Sequence, residues 1–183
     1  MTEQFPPPPP NPVPVGTAPG GLLERFLARL IDSVIVGIVS GIIMFAVFAN
    51  IFTDTTTVLG VTVDNGYTYG FYLFSALVQA ALWFGYFVFF ETSTGATLGK
   101  TLLKLKVVGP DGSSHPTVQQ SVMRNVWGAL GLLGILGAVG QTLGGLAQLA
   151  AVIVIAVQIN SNLPSRRHFF DDLAGGTQVL KVG

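Results

Sequence analysis

Arg25, Arg29 and Asp32 stand within one short stretch at the edge of a long apolar run, and they are the first residues here that could do chemistry. Arg25 and Asp32 are seven apart, which places them on one helix face two turns apart. Arg29 and Asp32 are three apart and could pair directly. A charge at the centre of a bilayer costs roughly 2.5–3.5 kcal/mol on the insertion scale, so intramembrane charges usually have partners and a purpose. The alternative is that Asp32 sits among the headgroups, because an uncharged span begins directly after it. Asp171 and Asp172 follow Arg166 and Arg167 near the end of the chain, where the plain reading is a solvated ion-pair cluster.

Other chemistry is poorly represented. Gly95-Ala-Thr-Leu-Gly-Lys-Thr101 looks like a phosphate-binding loop. It is one residue short between its glycines, and a membrane helix rather than a buried strand precedes it. The reading preferred for its lysines is contact with anionic headgroups, with Leu98, Leu102 and Leu105 dipping into the interface. No Ser/His/Asp spacing, GxSxG or HExxH is present, so no enzyme is expected. The chain has no cysteine and two histidines, His115 and His168, and neither a metal nor a cofactor is expected. A zero net charge argues against a nucleic-acid partner.

The elements that must position these charges are membrane elements. Only 10% of the 183 residues are charged and 50% are apolar. A soluble domain carries about 25% charged residues. The expectation is an all-α integral membrane protein in a bacterial plasma membrane, its main partner the lipid bilayer. Residues 1–21 read as a disordered cytoplasmic tail, since eight of the eleven prolines fall in Pro6–Pro19. A solvated spacer is the preferred reading, and a docking arm for a cytoplasmic partner the other. No cleavable signal peptide is expected at that end. The fold proper is placed at 22–183.

Leu22–Phe52 reads as one helical segment, uncharged from Ser33 onward. That matches the ~20 residues needed to cross the hydrocarbon core. Gly37 and Gly41, with Ser33 one turn earlier, are either a helix-approach face or simply the glycine common in such helices. Thr53–Asn65 is a short polar loop without Lys or Arg, and Gly66–Phe90 is a second crossing. Tyr67, Tyr69, Phe71 and Tyr72 at one end, and Trp83, Tyr86, Phe87, Phe89 and Phe90 at the other, fit two interfacial belts. Glu91–Arg124 is a polar connection. Asn125–Asn160 is uncharged and too long for one crossing, with glycines throughout. The break is placed near Gly140–Gly145. The first half is then short, tilted or re-entrant, and about Leu143–Asn160 a full crossing. The bundle therefore has about four membrane elements. With the chain beginning and ending on one side, all nine Lys and Arg fall on that side, so both termini are expected in the cytoplasm. Leu103–Val108 and Thr177–Val182 alternate in polarity and are expected to pair as a two-stranded ribbon at that face.

Three separated stretches together resemble the RDD family of bacterial membrane proteins. Arg25-Phe-Leu-Ala-Arg-Leu-Ile-Asp32 is similar to the family's Arg and Asp in the first membrane helix. Glu91–Gly112, with its Gly-Ala-Thr-Leu-Gly-Lys block, resembles the second motif, and Arg124-Asn125 follows at a familiar place. Phe170-Asp-Asp-Leu-Ala-Gly175 resembles the family's closing motif. The resemblance covers about residues 22–182, and the proline-rich tail looks like that of actinobacterial members. It maps the family's Arg and two Asp onto Arg25, Asp32 and Asp171, with Arg29, Glu91, Lys100 and Arg124 as supporting residues. Phe170 replaces the usual His and Asp172 the usual basic residue, which counts against a proton relay at that corner. Transport has been suggested for the family, and some members are described as cation/proton antiporters. The resemblance therefore implies transport of a small ligand or cation, or a role accessory to it. The alternative is a non-enzymatic scaffold or assembly subunit of an envelope complex. Either role implies a homo-oligomer or a larger membrane assembly.

Overall fold

Three stretches are long and apolar enough to cross a bilayer: Leu22–Ala46, Tyr69–Thr94 and Val118–Ser161. The computed structural model describes residues 18–48, 53–163 and 165–182. The proline run Pro6–Pro14 and the end of the first predicted segment, 49–52, lie outside the described residues. In chain order the elements are α1 (Leu22–Phe48), β1 (Thr53–Val58), β2 (Val61–Tyr67), α2 (Tyr69–Thr94), α3 (Leu98–Leu102), β3 (Leu105–Val108), α4 (Val118–Asn125), a 3-10 helix (Val126–Leu136), α5 (Gly137–Ser161), α6 (Phe169–Leu173) and β4 (Gln178–Lys181).

The long uncharged stretch after Arg124 folds back on itself. Gly128, Gly131, Gly134 and Gly137 recur every third residue. Three residues per turn is the 3-10 period, so this spacing lines the glycines up on one side. That side is where neighbours come closest. A side chain at Gly128 would collide with the Trp83 indole, and one at Gly134 would lie 3.3 Å from the Ala76 methyl. Gly140 and Gly144, four apart on α5, press against the carbonyls of Leu133 and Leu130. Gly128 and Gly134 thus admit α2, whereas Gly140 and Gly144 let α5 approach the 3-10 helix. Gln148 also donates to the Gly128 carbonyl at 3.1 Å.

The break falls at Gly137 (φ 78), ahead of the Gly140–Gly145 expected from sequence. Gly140 and Gly144 read as breakers in the sequence because their role, close backbone approach, is invisible without the partner helix. The 3-10 helix has 11 residues, so it is ~22 Å long at ~2.0 Å per residue. That is short of the ~30 Å hydrocarbon core. α5, with 25 residues, reaches ~37 Å, long enough to cross.

Thr53–Asn65, expected as a loop, is instead part of a hairpin. β1 and β2 pair antiparallel from Thr53↔Tyr67 to Val58↔Val61. Leu59 and Gly60 connect them, both at positive φ, as a two-residue type I′ turn needs. At the other end of the bundle β3 and β4 pair antiparallel, Leu105↔Lys181 through Val108↔Gln178, which is the expected ribbon. Its inner face packs on α1, where Leu105, Val107 and Val179 form a buried apolar cluster with Ala28. Residues 18–21, assigned to the tail from sequence, lie along β4. Gly20 N–H donates to the Val179 carbonyl at 3.0 Å, and Lys181 N–H to the Ala18 carbonyl at 2.8 Å. A methyl group added at Gly37 or Gly41 would meet no other described residue within 4 Å.

Candidate functional site

Trp83, Phe87 and Glu91 are four apart on α2 and so share one face. The ends of the other helices converge on that face. Glu91, at the charged end of α2, is fully buried. It accepts from the Lys100 ammonium of α3, from Ser121 Oγ at 2.8 Å and from Asn125 Nδ2 at 3.0 Å, both on α4. Arg124 Nε lies 3.7 Å from it. The Arg124 guanidinium also reaches Asp171 Oδ1 at 3.0 Å, and Arg25 Nη1 lies 3.6 Å from Asp171 Oδ2. A continuous chain of charge therefore runs Lys100, Glu91, Arg124, Asp171, Arg25. It joins α3, α2, α4, α6 and α1.

Arg25 is oriented by two carbonyls, those of Gly20 (3.0 Å) and Val179 (3.2 Å), so the ribbon and the segment before α1 hold it in place. Asp171 is held by its surroundings too. It is fully buried. Gly175 and Gly176, at φ 83 and 98, turn the chain straight back into β4. Gly176 N–H and Thr177 N–H donate to the Asp171 carbonyl.

Asp32 belongs to a separate set. It accepts from Tyr86 Oη at 2.7 Å, Thr97 Oγ1 at 2.6 Å and Gly99 N–H at 2.8 Å. The glycine-rich block is built for this. Gly95, at φ 80, caps α2 in the left-handed conformation. Thr97 caps α3 and donates its hydroxyl hydrogen to Asp32. Gly99 carries no side chain because one would collide with the Ala28 carbonyl of α1. The likeness to a nucleotide loop is thus explained by helix capping and close packing.

Several sequence expectations need correction. Arg29 does not pair with Asp32. Its guanidinium donates to Asn125 Oδ1 at 3.2 and 3.3 Å and lies over the rings of Phe87 (3.7 Å), Trp83 (4.3 Å) and Trp127 (4.7 Å). Trp83 and Phe87 thus pack on the Arg29 guanidinium, and Tyr86 donates to Asp32. Lys100 is buried on Glu91 and does not meet headgroups, and Leu105 lies in the core. Burial lowers the Lys100 pKa, while Glu91 opposes that shift. Asp171 is not part of a solvated cluster. Asp172 is, facing Arg167 at 3.2 Å with both side chains well exposed.

Sequence reasoning missed Ser121 and His168 as members, and took Asn125 only as part of the family likeness. Ser121 and Asn125 carried a readable signal, a polar pair four apart flanking Arg124. His168 Nε2 lies 3.3 Å from Asp171 Oδ2. Burial lowers its pKa from 6.5 to about 4; Asp171 opposes the shift, and Arg124, Arg25 and Arg29 reinforce it. His168 is thus neutral at pH 7, with Nε2 facing Asp171. Because the folded pKa is the lower one, the unfolded chain takes up the proton first. Stability from this group is complete above pH 6.5 and is lost as pH falls toward 4. We expect the detergent-solubilised protein to lose on the order of 2–3 kcal/mol across that window. His168→Gln should flatten the thermal midpoint between pH 6.5 and 4.5, and an unchanged slope would show that another group is responsible.

A cavity of about 110 Å³ lies beside the cluster. Arg25, Arg29, Lys100, Arg124, Asn125 and His168 form its polar side, and α1 and α5 supply an apolar side. Such a construction, with apolar crossings around a buried ionised end, defines a multi-pass membrane protein. Within that class the chain belongs to the RDD family, whose model matches residues 19–175. No curated protein and no solved structure matches the chain.

Proposed function

We propose that this protein is a non-enzymatic membrane protein that takes up a small charged ligand at the cavity beside its ionised cluster, as a transporter or as an accessory to transport. The supporting observation is the cavity itself: room for several waters at roughly 10–15 Å³ each, walled by four cationic side chains. Direct cation exchange fits this arrangement less well. Asp32, Glu91 and Asp171 are fully buried and each oxygen set is already taken by donors. Four membrane elements, one of them short, are too few to surround a path, so transport requires an oligomer or a larger complex. Proteoliposomes holding the purified chain should carry flux under an imposed gradient of phosphate or a small carboxylate, and give no Na⁺- or K⁺-driven pH change. Absence of any flux above empty liposomes would favour the scaffold reading, which the small number of crossings supports.

We also propose that both termini are cytoplasmic in a bacterial plasma membrane. All nine Lys and Arg lie at or beyond the cluster end of the bundle, and the β1–β2 end has none. The chain lacks cysteine, so Thr56→Cys and Ser165→Cys give clean probes. In intact cells an impermeant thiol reagent should label position 56 alone, and labelling at 165 would invert the topology.

A further inference from the structure

Taking the cavity as a ligand site, as proposed above, we infer that its ligand is an anion: a phosphate or carboxylate group, free or on a lipid head, received by Arg29. Of the cluster's ionised groups, the four cations Arg25, Arg29, Lys100 and Arg124 line the cavity, whereas Asp32, Glu91 and Asp171 do not. Arg25, Lys100 and Arg124 are ion-paired with Asp171 and Glu91, and Asp32 is held by the neutral donors Tyr86, Thr97 and Gly99. Arg29 stands outside these pairs. Among the described residues no carboxylate lies within 4.0 Å of it, and its one acceptor is the neutral Asn125 amide. A cation held among three aromatic rings, with Glu91 and Asp32 acting on it only from beyond ion-pair distance, is costly in so poorly hydrated a place, and an anion in direct contact would relieve that cost. The rings fix the guanidinium plane, so its remaining donor edge is preorganised for a forked contact with two oxygens.

The other donors point the same way. Arg25 Nη1 and Arg124 Nη1 are shielded from solvent and make no aligned hydrogen bond with a described group, although both lie within ion-pair distance of Asp171. Both belong to side chains more than nine-tenths buried. Opposite them the wall is apolar, with Phe26 of α1 and Val152, Ile155 and Ala156 of α5. Phe26 is 52% exposed, so this wall continues onto the outer surface that faces lipid. A polar cradle joined to an apolar seam suits either a short organic anion or a phospholipid with its phosphate inside and its chain along the seam.

The test uses the full chain in detergent and in nanodiscs. In the first arm, thermal unfolding is followed in sodium phosphate and in sodium chloride at matched ionic strength. In the second, nanodiscs of phosphatidylglycerol are compared with phosphatidylcholine. A bound ligand raises the midpoint by mass action. Phosphate stabilisation would identify a soluble anion, and stabilisation by phosphatidylglycerol alone would identify a lipid head; either supports the inference. Arg29→Gln should weaken the effective arm at least tenfold, and Arg29→Lys should retain part of it. Ala156→Phe leaves every charge in place and fills the apolar wall, so it should weaken binding even if Arg29→Gln fails to fold. No gain over chloride and phosphatidylcholine, or equal gain in Arg29→Gln and Ala156→Phe, overturns the inference. Binding without flux would remove the transport reading and leave the anion site standing.

Discussion

Asp171→Ala is expected to destabilise the detergent-solubilised protein by about 3–5 kcal/mol, the usual cost of stranding a buried charge. Asp171 is fully buried and faces Arg25 at 3.6 Å, Arg124 at 3.0 Å and His168 Nε2 at 3.3 Å. Its loss leaves Arg25 without a counter-charge and Arg124 with only the more distant Glu91. Arg25→Ala should also destabilise, since it removes the partner that the Gly20 and Val179 carbonyls hold in place. The double mutant should be less harmed than the sum of the singles, by ~0.5–3 kcal/mol, because the second change removes a charge already stranded. Thermal unfolding of the four proteins measures this directly. Additive effects within error would mean that the two side chains do not interact.

Glu91→Gln should be at least as damaging. The two oxygens of Glu91 receive donors from Lys100, Ser121 and Asn125. A glutamine amide has one acceptor and one donor end, so in either orientation its NH₂ faces a donor. Buried Lys100 would lose its counter-charge as well. A loss of about 3–5 kcal/mol is expected, visible as poor expression or a large drop in thermal midpoint. Lys100→Met in the same chain should recover a measurable part, since the stranded ammonium is then gone. The surface pair Lys181–Glu24, with side chains 49% and 31% exposed, is the control. Breaking it should cost only ~0–1 kcal/mol. A Glu91→Gln protein as stable as that control would show that Glu91 is hydrated.

By itself the sequence determined the membrane class, because so few charges over so much apolar length permit little else. It determined the ribbon, because alternation in Leu103–Val108 and Thr177–Val182 has a period of two that only a strand satisfies. It also gathered the cations at one end of the bundle, since the uncharged stretches between them have the lengths of crossings. Arg25, Asp32 and Asp171 were legible as candidates through their likeness to a family.

Which charge meets which was decided only in three dimensions. Arg29 and Asp32 have the right spacing to pair, yet each found better company elsewhere. Gly99 lets α3 come close enough to α1 for a backbone N–H and Thr97 to take Asp32. Trp83, Phe87 and Trp127, from two other helices, enclose Arg29. Lys100 reads as a surface lysine until α2 ends beside it and offers Glu91. Spacing along a helix limits which residues share a face, but the partner across a gap is chosen by packing. In a low-dielectric interior, where an unpaired charge is so costly, that choice of partner determines the site.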